Sequence, residues 1–554
     1  MSNKITIKYS YEIDSEFYYC TYNGLKKRNI KKHDLVELIN NRPDSVDAII
    51  ANGVITNSHN NIEHLDIGNF LIDEPLFDLC ASSLIREKRD AYTEAEKFLE
   101  HKDTQRKVGI VYGMRSTGKT VILHQLAGRI ESRDSSAYLT LNYGEYDIGT
   151  IYKWISSLRK LGIKNIFIDE VTWATGFIDC AMEFADKWAT YSDMKVILSG
   201  TDSLAFTFAM QESLHGRYKL FKITRMSFPE YHRLTNNDII EYVRNGGVFL
   251  GDTPLDEYLQ SSVVQNIRNS INNTARKIGV IEDLRFVSEK DMYAMCYAIC
   301  ESVANSYIRR YAAASWSNPV GKIIDSFLSK SKVSIAPADK SQIKNYTIGF
   351  SSETTEYSRD IVDSLLEVML KIGFLTSIEY RTERRVEEHL VFAQTGIAWE
   401  FARLTIDAIM QSGLLSGEHE ARVIEGIQTH TEGELLELSC LIVLAKQAEK
   451  HDKLDTCLAK FRLHSGDREV DAILFNRKTS TLYLYEVKRS TQFKSEYAKH
   501  LSDNEFVSEL QRIYGANNIV KTVLYRGADT DSGVSVSYKN IENYLISIEN
   551  GDVF

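Results

Sequence analysis

Residues Gly113–Thr120 read GMRSTGKT and fill every fixed position of a Walker A loop. The apolar run Val108–Tyr112 (VGIVY) leads into it, and the helix-prone stretch Val121–Ile130 (VILHQLAGRI) leads out. These flanks give the motif its physical content. A strand delivers the chain, glycines let backbone N–H groups turn inward, and a helix N-terminus faces the anion with the positive end of its dipole. Gly113, Met114, Arg115, Ser116, Thr117 and Gly118 are expected to form the cradle for ATP. Lys119 would reach the β- and γ-phosphates, and the Thr120 hydroxyl would hold Mg²⁺.

A second element fits the first. Asn165–Glu170 (NIFIDE) is an apolar strand ending in two carboxylates. Asp169 stands 49 residues after Thr120, with a strand and a helix between, and is placed to complete the Mg²⁺ shell. Glu170 would orient or deprotonate the attacking water. Lys195–Ser199 (KVILS) is expected to be the strand beside it, so that Ser199 or Thr201 could sense the γ-phosphate or simply cap the strand end. Arg217, in His215–Tyr218, is a candidate arginine finger or nucleotide sensor, with an ordinary solvated arginine as the alternative.

Around these motifs, helix and strand alternate. Ala137–Tyr143 reads as a strand, Ile148–Leu161 as a helix, Ile178–Tyr191 as an amphipathic helix and Tyr218–Thr224 as a last strand. Such alternation predicts an α/β domain with a covered parallel sheet and a ligand at the carboxyl ends of its strands.

The chain has 554 residues, too many for one core. Hydrophobic residues make up 43% and charged residues 26%, ordinary globular usage. No apolar run approaches the roughly 18 residues of a membrane span, and the start, MSNKITIKYSYEIDSE, has no apolar signal region; a cytoplasmic protein without a membrane partner is expected. The seven cysteines form no C-x-x-C pair, and the 13 histidines show no zinc spacing. A net charge of −10 argues against a generally DNA-coating surface, yet leaves room for a local basic patch. The strongest basic run, Lys26–Lys32, reads as a solvated face.

Residues 1–75 alternate early, which predicts strands, and His33–Asn40 reads as a short helix. Residues 240–315 read as mostly helical. Val320–Leu328 and Ser358–Lys371 then read as helices before two strands, Leu375–Tyr380 and His389–Phe392, a pattern like a winged helix.

The C-terminal part carries different chemistry. Asp471 precedes the apolar strand Ala472–Phe475, and Thr481–Lys488 (TLYLYEVK) follows after a short turn. The period of two puts Glu486 and Lys488 on one face, and hairpin pairing can bring Asp471 beside Glu486. Glu437, on a preceding helix, would complete the set. This is the D…(D/E)-x-K arrangement of metal-dependent nucleases: Glu437, Asp471 and Glu486 would hold Mg²⁺, and Lys488 would position water or stabilise developing charge. The alternative is a solvated strand face.

Taken in order, the segments GMRSTGKT, NIFIDEV, VILSGTDS, LHGRYKLFKITRMSFPEY, GGVFLGDTPLDEYL, HLVFAQTGI, GELLE, REVDAILF and YEVKRS resemble prokaryotic AAA-type (AAA_14-like) ATPases. Those ATPases carry a DUF4143-like C-terminal region ending in a PD-(D/E)XK nuclease-like domain. The resemblance runs from about residue 85 to 490. It implies an AAA-like core, a helical and winged-helix middle, and a restriction-endonuclease-like end. By position, Ser199 or Thr201 resembles sensor 1, Arg217 occupies the family's Gly-Arg position, and Glu437, Asp471, Glu486 and Lys488 match its nuclease-like motif. Arg225 stands where a proline is usual, and Gln394 where an aspartate is usual, which detaches any role from that middle motif.

The expected domains are therefore 1–75 (α+β), 76–235 (P-loop ATPase), 236–317 (helical), 318–398 (winged-helix-like) and 399–554 (nuclease-like). Three functions compete. One is an ATPase coupled to a Mg²⁺-dependent DNA nuclease, with genome defence as a setting. Another is a nucleotide-dependent switch whose nuclease fold only binds DNA or a protein. The third is a DNA-translocating motor, which would need a homo-oligomeric ring.

Overall fold

The computed structural model describes residues 4–7, 11–14, 17–22, 26–30, 63–100, 108–129, 135–142, 144–191, 194–201, 205–206, 209–210, 214, 217–223, 226–246, 255–272, 284–285, 287–308, 359–382, 386–400, 403, 417–450, 455–462, 468–530 and 536–551. The chain forms two compact units. One comprises Met1–Ile223 with Gln265–Ile281, the other Thr224–Val264 with Glu282–Phe554.

In the first unit, β1 (Lys4–Ile7) pairs antiparallel with β5 (Glu63–Asp66), and β2 (Tyr11–Asp14), β3 (Phe17–Tyr22) and β4 (Lys26–Ile30) form a three-stranded antiparallel sheet. The basic run Lys26–Lys32 thus lies partly on β4, while the helix expected at 33–40 falls outside the described residues. The main sheet holds β6 (Leu71–Ile72), β7 (Val108–Tyr112), β8 (Ser136–Thr140), β9 (Asn165–Asp169), β10 (Lys195–Gly200) and β11 (Tyr218–Lys222), in the order β11-β7-β10-β9-β8-β6. All pairs are parallel except β6–β8. Every residue of β7 is buried, as a strand covered on both faces requires.

The helices that cover this sheet are α1 (Asp73–Leu84), α2 (Asp90–Glu100), α3 (Lys119–Ala127) and α4 (Ile148–Lys160). Ile122, Leu123 and Leu126 of α3 pack into one core with Val111, Phe167, Ile197 and Phe221 from four strands. Asp147 starts α4 by accepting from the Thr150 N–H at 3.0 Å, an N-cap that ends the loop before it. The amphipathic helix expected at 178–191 is instead a short turn, Phe177–Cys180, followed by π-wound turns, Phe184–Tyr191. Phe184 and Trp188 both pack on Tyr152 of α4, with ring centroids 4.9 and 6.4 Å away.

The second unit is built on a seven-stranded mixed sheet. Its strands are β12 (Leu375–Thr382), β13 (Val386–Phe392), β14 (Asp455–Arg462), β15 (Glu469–Asn476), β16 (Thr481–Lys488), β17 (Asn518–Tyr525) and β18 (Ser537–Asn540), in the order β13-β12-β14-β15-β16-β17-β18. The hairpin β12–β13, expected as the wing of a separate 318–398 module, is hydrogen-bonded into this sheet through parallel pairing of Glu379–Thr382 with Ala459–Arg462. The helix expected at 320–328 lies outside the described residues. Its helices include α5 (Phe228–Thr235), α6 (Ile239–Asn245), α7 (Glu289–Ile308), α8 (Arg359–Lys371), the 34-residue α9 (Gly417–Lys450), α10 (Asn504–Tyr514) and α11 (Ile541–Asn550). A core of Val470, Ile473, Leu482, Leu484, Phe506 and Val523 fixes β15 and β16 beneath α10. Among the described residues no helix is long and apolar enough to cross a membrane.

Candidate functional site

The loop Gly113–Gly118 joins the carboxyl end of β7 to α3. Gly113 is required by space: a Cβ there would lie 2.0 Å from the Ile223 carbonyl oxygen. Gly118 caps α3 at φ +87°, and Ser116 is held at φ +59°, a conformation costly for a residue with a side chain. The Thr117 hydroxyl donates to the Met114 carbonyl at 2.8 Å and ties the loop to itself.

Lys119 is buried, at 5% exposure, and its Nζ donates to the carbonyls of Gly113 (2.9 Å) and Met114 (2.7 Å). Burial lowers its pKa from 10.5 to about 8, against the opposing pull of Glu170 and Asp169. The side chain is thus held inside the loop by the loop's own carbonyls.

Asp169 ends β9 and Glu170 follows it, with β10 lying between β9 and β7. Asp169 collects three hydroxyl donors: Thr120 at 2.7 Å and Tyr138 at 3.1 Å on Oδ2, and Ser199 on Oδ1. Thr120 and Asp169 offer adjacent hard oxygen donors, the type Mg²⁺ takes in such loops. Glu170 sits in the left-handed region at φ +57°, and its Oε2 accepts from the N–H (2.9 Å) and hydroxyl (3.0 Å) of Thr201. Burial raises its pKa, against the nearby Lys119 charge.

The two hydroxyls at the end of β10 thus have different roles: Ser199 holds Asp169, and Thr201 holds Glu170. Arg217 is half-exposed and paired with Asp186, so within this chain its guanidinium is engaged away from the loop.

Two further groups touch this machinery without any local motif to announce them. Tyr138 is fully buried on β8 and reaches Asp169 across the sheet; only its place in the alternating run AYLTLNY hinted at it. Arg89, buried at the start of α2, donates to the Thr117 carbonyl of the loop from 28 residues upstream. A contact so distant in sequence leaves no spacing signal.

In the second unit, Asp471 on β15 and Glu486 on β16 stand one step beyond the Ala472–Tyr485 pair of an antiparallel ladder. Lys488 Nζ lies 3.2 Å from Asp471 Oδ2 and 2.5 Å from Glu486 Oε2. Asp471 Oδ2 also accepts from the Val487 N–H at 2.8 Å. Glu486 Oε1 is buried and has no hydrogen-bond partner among the described residues. Burial, then the Asp471 charge, pushes the Glu486 pKa well above the usual carboxylate range. Burial would lower the Lys488 pKa, but the Asp471 and Glu486 charges outweigh it and raise it.

Glu437, on α9, is buried and near enough for its charge to act on both Glu486 and Lys488. The structure thus brings the four sequence-predicted residues into one neighbourhood but does not draw three acids together as ligands. Among the described residues no group of three or more His, Cys, Asp or Glu is arranged to hold a metal ion. The Lys488 ammonium bridges Asp471 Oδ2 and Glu486 Oε2. The Glu486 oxygen without a partner and the Asp471 carboxylate beside it are hard oxygen donors, the type a divalent cation takes. Gln394, in the middle motif, is buried, and Arg225 lies outside the described residues.

Comparison with known proteins fits the first unit. Residues 105–232 match the family model of an AAA domain, AAA_14. No curated protein matches the chain. Solved structures with partial likeness include the Aeropyrum pernix ORC1 protein in complex with DNA, at 12% identity and TM-score 0.23, covering 62% of this chain and 98% of that one. The Aeropyrum pernix ORC2 protein follows at 10% identity and TM-score 0.25, covering 66% and 98%. PCH-2 of C. elegans stands at 15% identity and TM-score 0.24, covering 48% and 74%. The first unit has a parallel-sheet core with a P-loop, and over residues 105–232 the chain resembles an AAA domain.

Proposed function

We propose that this protein binds and hydrolyses ATP in its first unit and that its second unit is a Mg²⁺-dependent DNA nuclease-like domain governed by the nucleotide. The observation that carries the ATP half is the arrangement at Asp169, whose oxygens gather the Thr120 and Ser199 hydroxyls from two neighbouring elements. Thr120 and Asp169 would hold Mg²⁺, which would supply charge neutralisation at the oxygens that become negative. Lys119 leaves the Gly113 and Met114 carbonyls and neutralises the β- and γ-oxygens. Glu170, held through Oε2 by Thr201, would orient a water and accept its proton on the other oxygen. A Glu170→Gln variant should bind ATP like the wild type and hydrolyse it roughly 10²- to 10⁴-fold more slowly. Unchanged turnover would remove Glu170 from this role.

For the nuclease half, the supporting observation is the unpartnered Glu486 oxygen in a buried acidic pair. Asp471 and Glu486, with Glu437 behind them, would hold the cation, and Lys488 would turn to stabilise charge on the scissile phosphate. Genome defence is the setting in which we place it. The test is cleavage of plasmid and linear DNA with Mg²⁺ or Mn²⁺, with and without ATP. If Glu486→Ala and wild type behave alike throughout, the nuclease reading is gone. A second reading, an inactive fold that only binds DNA or a protein in a nucleotide-dependent switch, is favoured by the seat of Lys488 between the carboxylates. Calorimetry separates the two: a nuclease site binds Mn²⁺ and loses it on Asp471→Asn.

A further inference from the structure

Glu432, on α9, has a side chain with 0% exposure, yet it holds two guanidinium groups that water reaches. Its Oε1 accepts from Arg244 Nε at 3.0 Å and Nη2 at 2.5 Å, and its Oε2 accepts from Arg489 Nε. The Arg244 and Arg489 side chains are 37% and 39% exposed. Arg244 also lies over the buried Trp399 ring, 5.3 Å from its centroid, with Glu241 3.8 Å from its Nη1 on the outer side.

Arg489 meets Glu432 only through Nε, which leaves its terminal amino groups without a partner among the described residues. It follows Lys488 directly, so their Cα atoms are about 3.8 Å apart, and Lys488 contacts both site carboxylates.

Burying a carboxylate to restrain two partly exposed arginines is a poor way to gain stability, because apolar packing of equal volume does as well or better. It is a good way to fix guanidinium forks before a ligand arrives, since less side-chain freedom is then lost on binding. A guanidinium fork matches the two free oxygens of a phosphodiester. We propose that Arg489, braced by Glu432 with Arg244 beside it, is a DNA backbone phosphate-binding site next to the Asp471–Glu486–Lys488 cluster. The identity of the ligand as DNA rests on the nuclease-like reading above; the phosphate site itself does not.

The test is fluorescence anisotropy of a labelled DNA duplex with the full-length protein in EDTA, across a salt series, paired with Mn²⁺ calorimetry. Arg489→Gln should weaken DNA binding by roughly tenfold or more. It should also lower the log–log salt slope by about 1, while leaving Mn²⁺ binding intact. If Arg489→Gln melts below wild type, Arg489→Lys carries the test. A lysine keeps the charge and loses the fork, so weaker binding at an unchanged slope supports the site and equal affinity overturns it. Unchanged affinity and slope in a folded Arg489→Gln overturn the site whatever Mn²⁺ does. Arg489-dependent DNA binding without any Mn²⁺ binding supports the site and removes the nuclease reading. Binding of an RNA duplex of the same sequence in preference to DNA overturns the DNA assignment.

Discussion

Two residues in the phosphate loop show how position decides chemistry. Lys119 is a lysine whose burial brings its pKa to about 8. ATP favours the protonated form, so affinity should be flat below about pH 8 and fall by roughly tenfold per pH unit above it. Calorimetry in buffers of different ionisation enthalpy should show a proton taken up with ATP at pH 9 and little at pH 7. Equal affinity at both pH values would place the Lys119 proton elsewhere. Gly113 is constrained differently, by the Ile223 carbonyl where its Cβ would be. Gly113→Ala should cost about 1–3 kcal/mol and weaken ATP binding, because the loop and the end of β11 must part. Urea denaturation with ATP titration checks this, and an unchanged midpoint would refute the steric argument.

At the level of elements, helices of the second unit are tied by a polar cluster rather than by apolar contact alone. Lys446 on α9 lies 2.8 Å from Glu549 on α11, 3.0 Å from the Ser227 hydroxyl that precedes α5, and 3.6 Å from Glu230. Ser227 and Glu230 are buried, and Ser227 also donates to Glu549 at 2.9 Å. Lys446→Met removes the cation from this carboxylate pair. It should destabilise the second unit by about 2–3 kcal/mol, less than a fully buried ion pair would lose because Lys446 keeps some access to water. A urea midpoint equal to wild type would make the cluster ornamental. The hairpin β12–β13 belongs to this scale too. Its alternating pattern was legible, but its partner was not. A parallel ladder to β14, some eighty residues away, is set by which edge the folded sheet leaves open.

For the whole molecule, the proposed function, with an ATPase site and a nuclease site on one chain, predicts coupling. Lys119→Ala should abolish ATP hydrolysis and change DNA cleavage by the untouched second unit. Glu486→Ala should abolish cleavage and change the ATPase response to DNA. Paired assays in which each lesion affects only its own site would refute the coupling. By itself, the sequence determined the pieces whose physics is local. The Gly-Lys-Thr loop needs one strand and one helix on either side, the β9 carboxylates follow an apolar run, and Glu486 and Lys488 share a face through the period of two. These readings require only neighbours in the chain. Tertiary structure alone decided what crosses it: Arg89 on the loop, Tyr138 on Asp169, Thr201 on Glu170, and Glu432 bracing Arg244 and Arg489. Each joins residues 28 or more apart. Which buried polar group meets which partner is fixed by sheet order and helix packing, and neither is written in spacing.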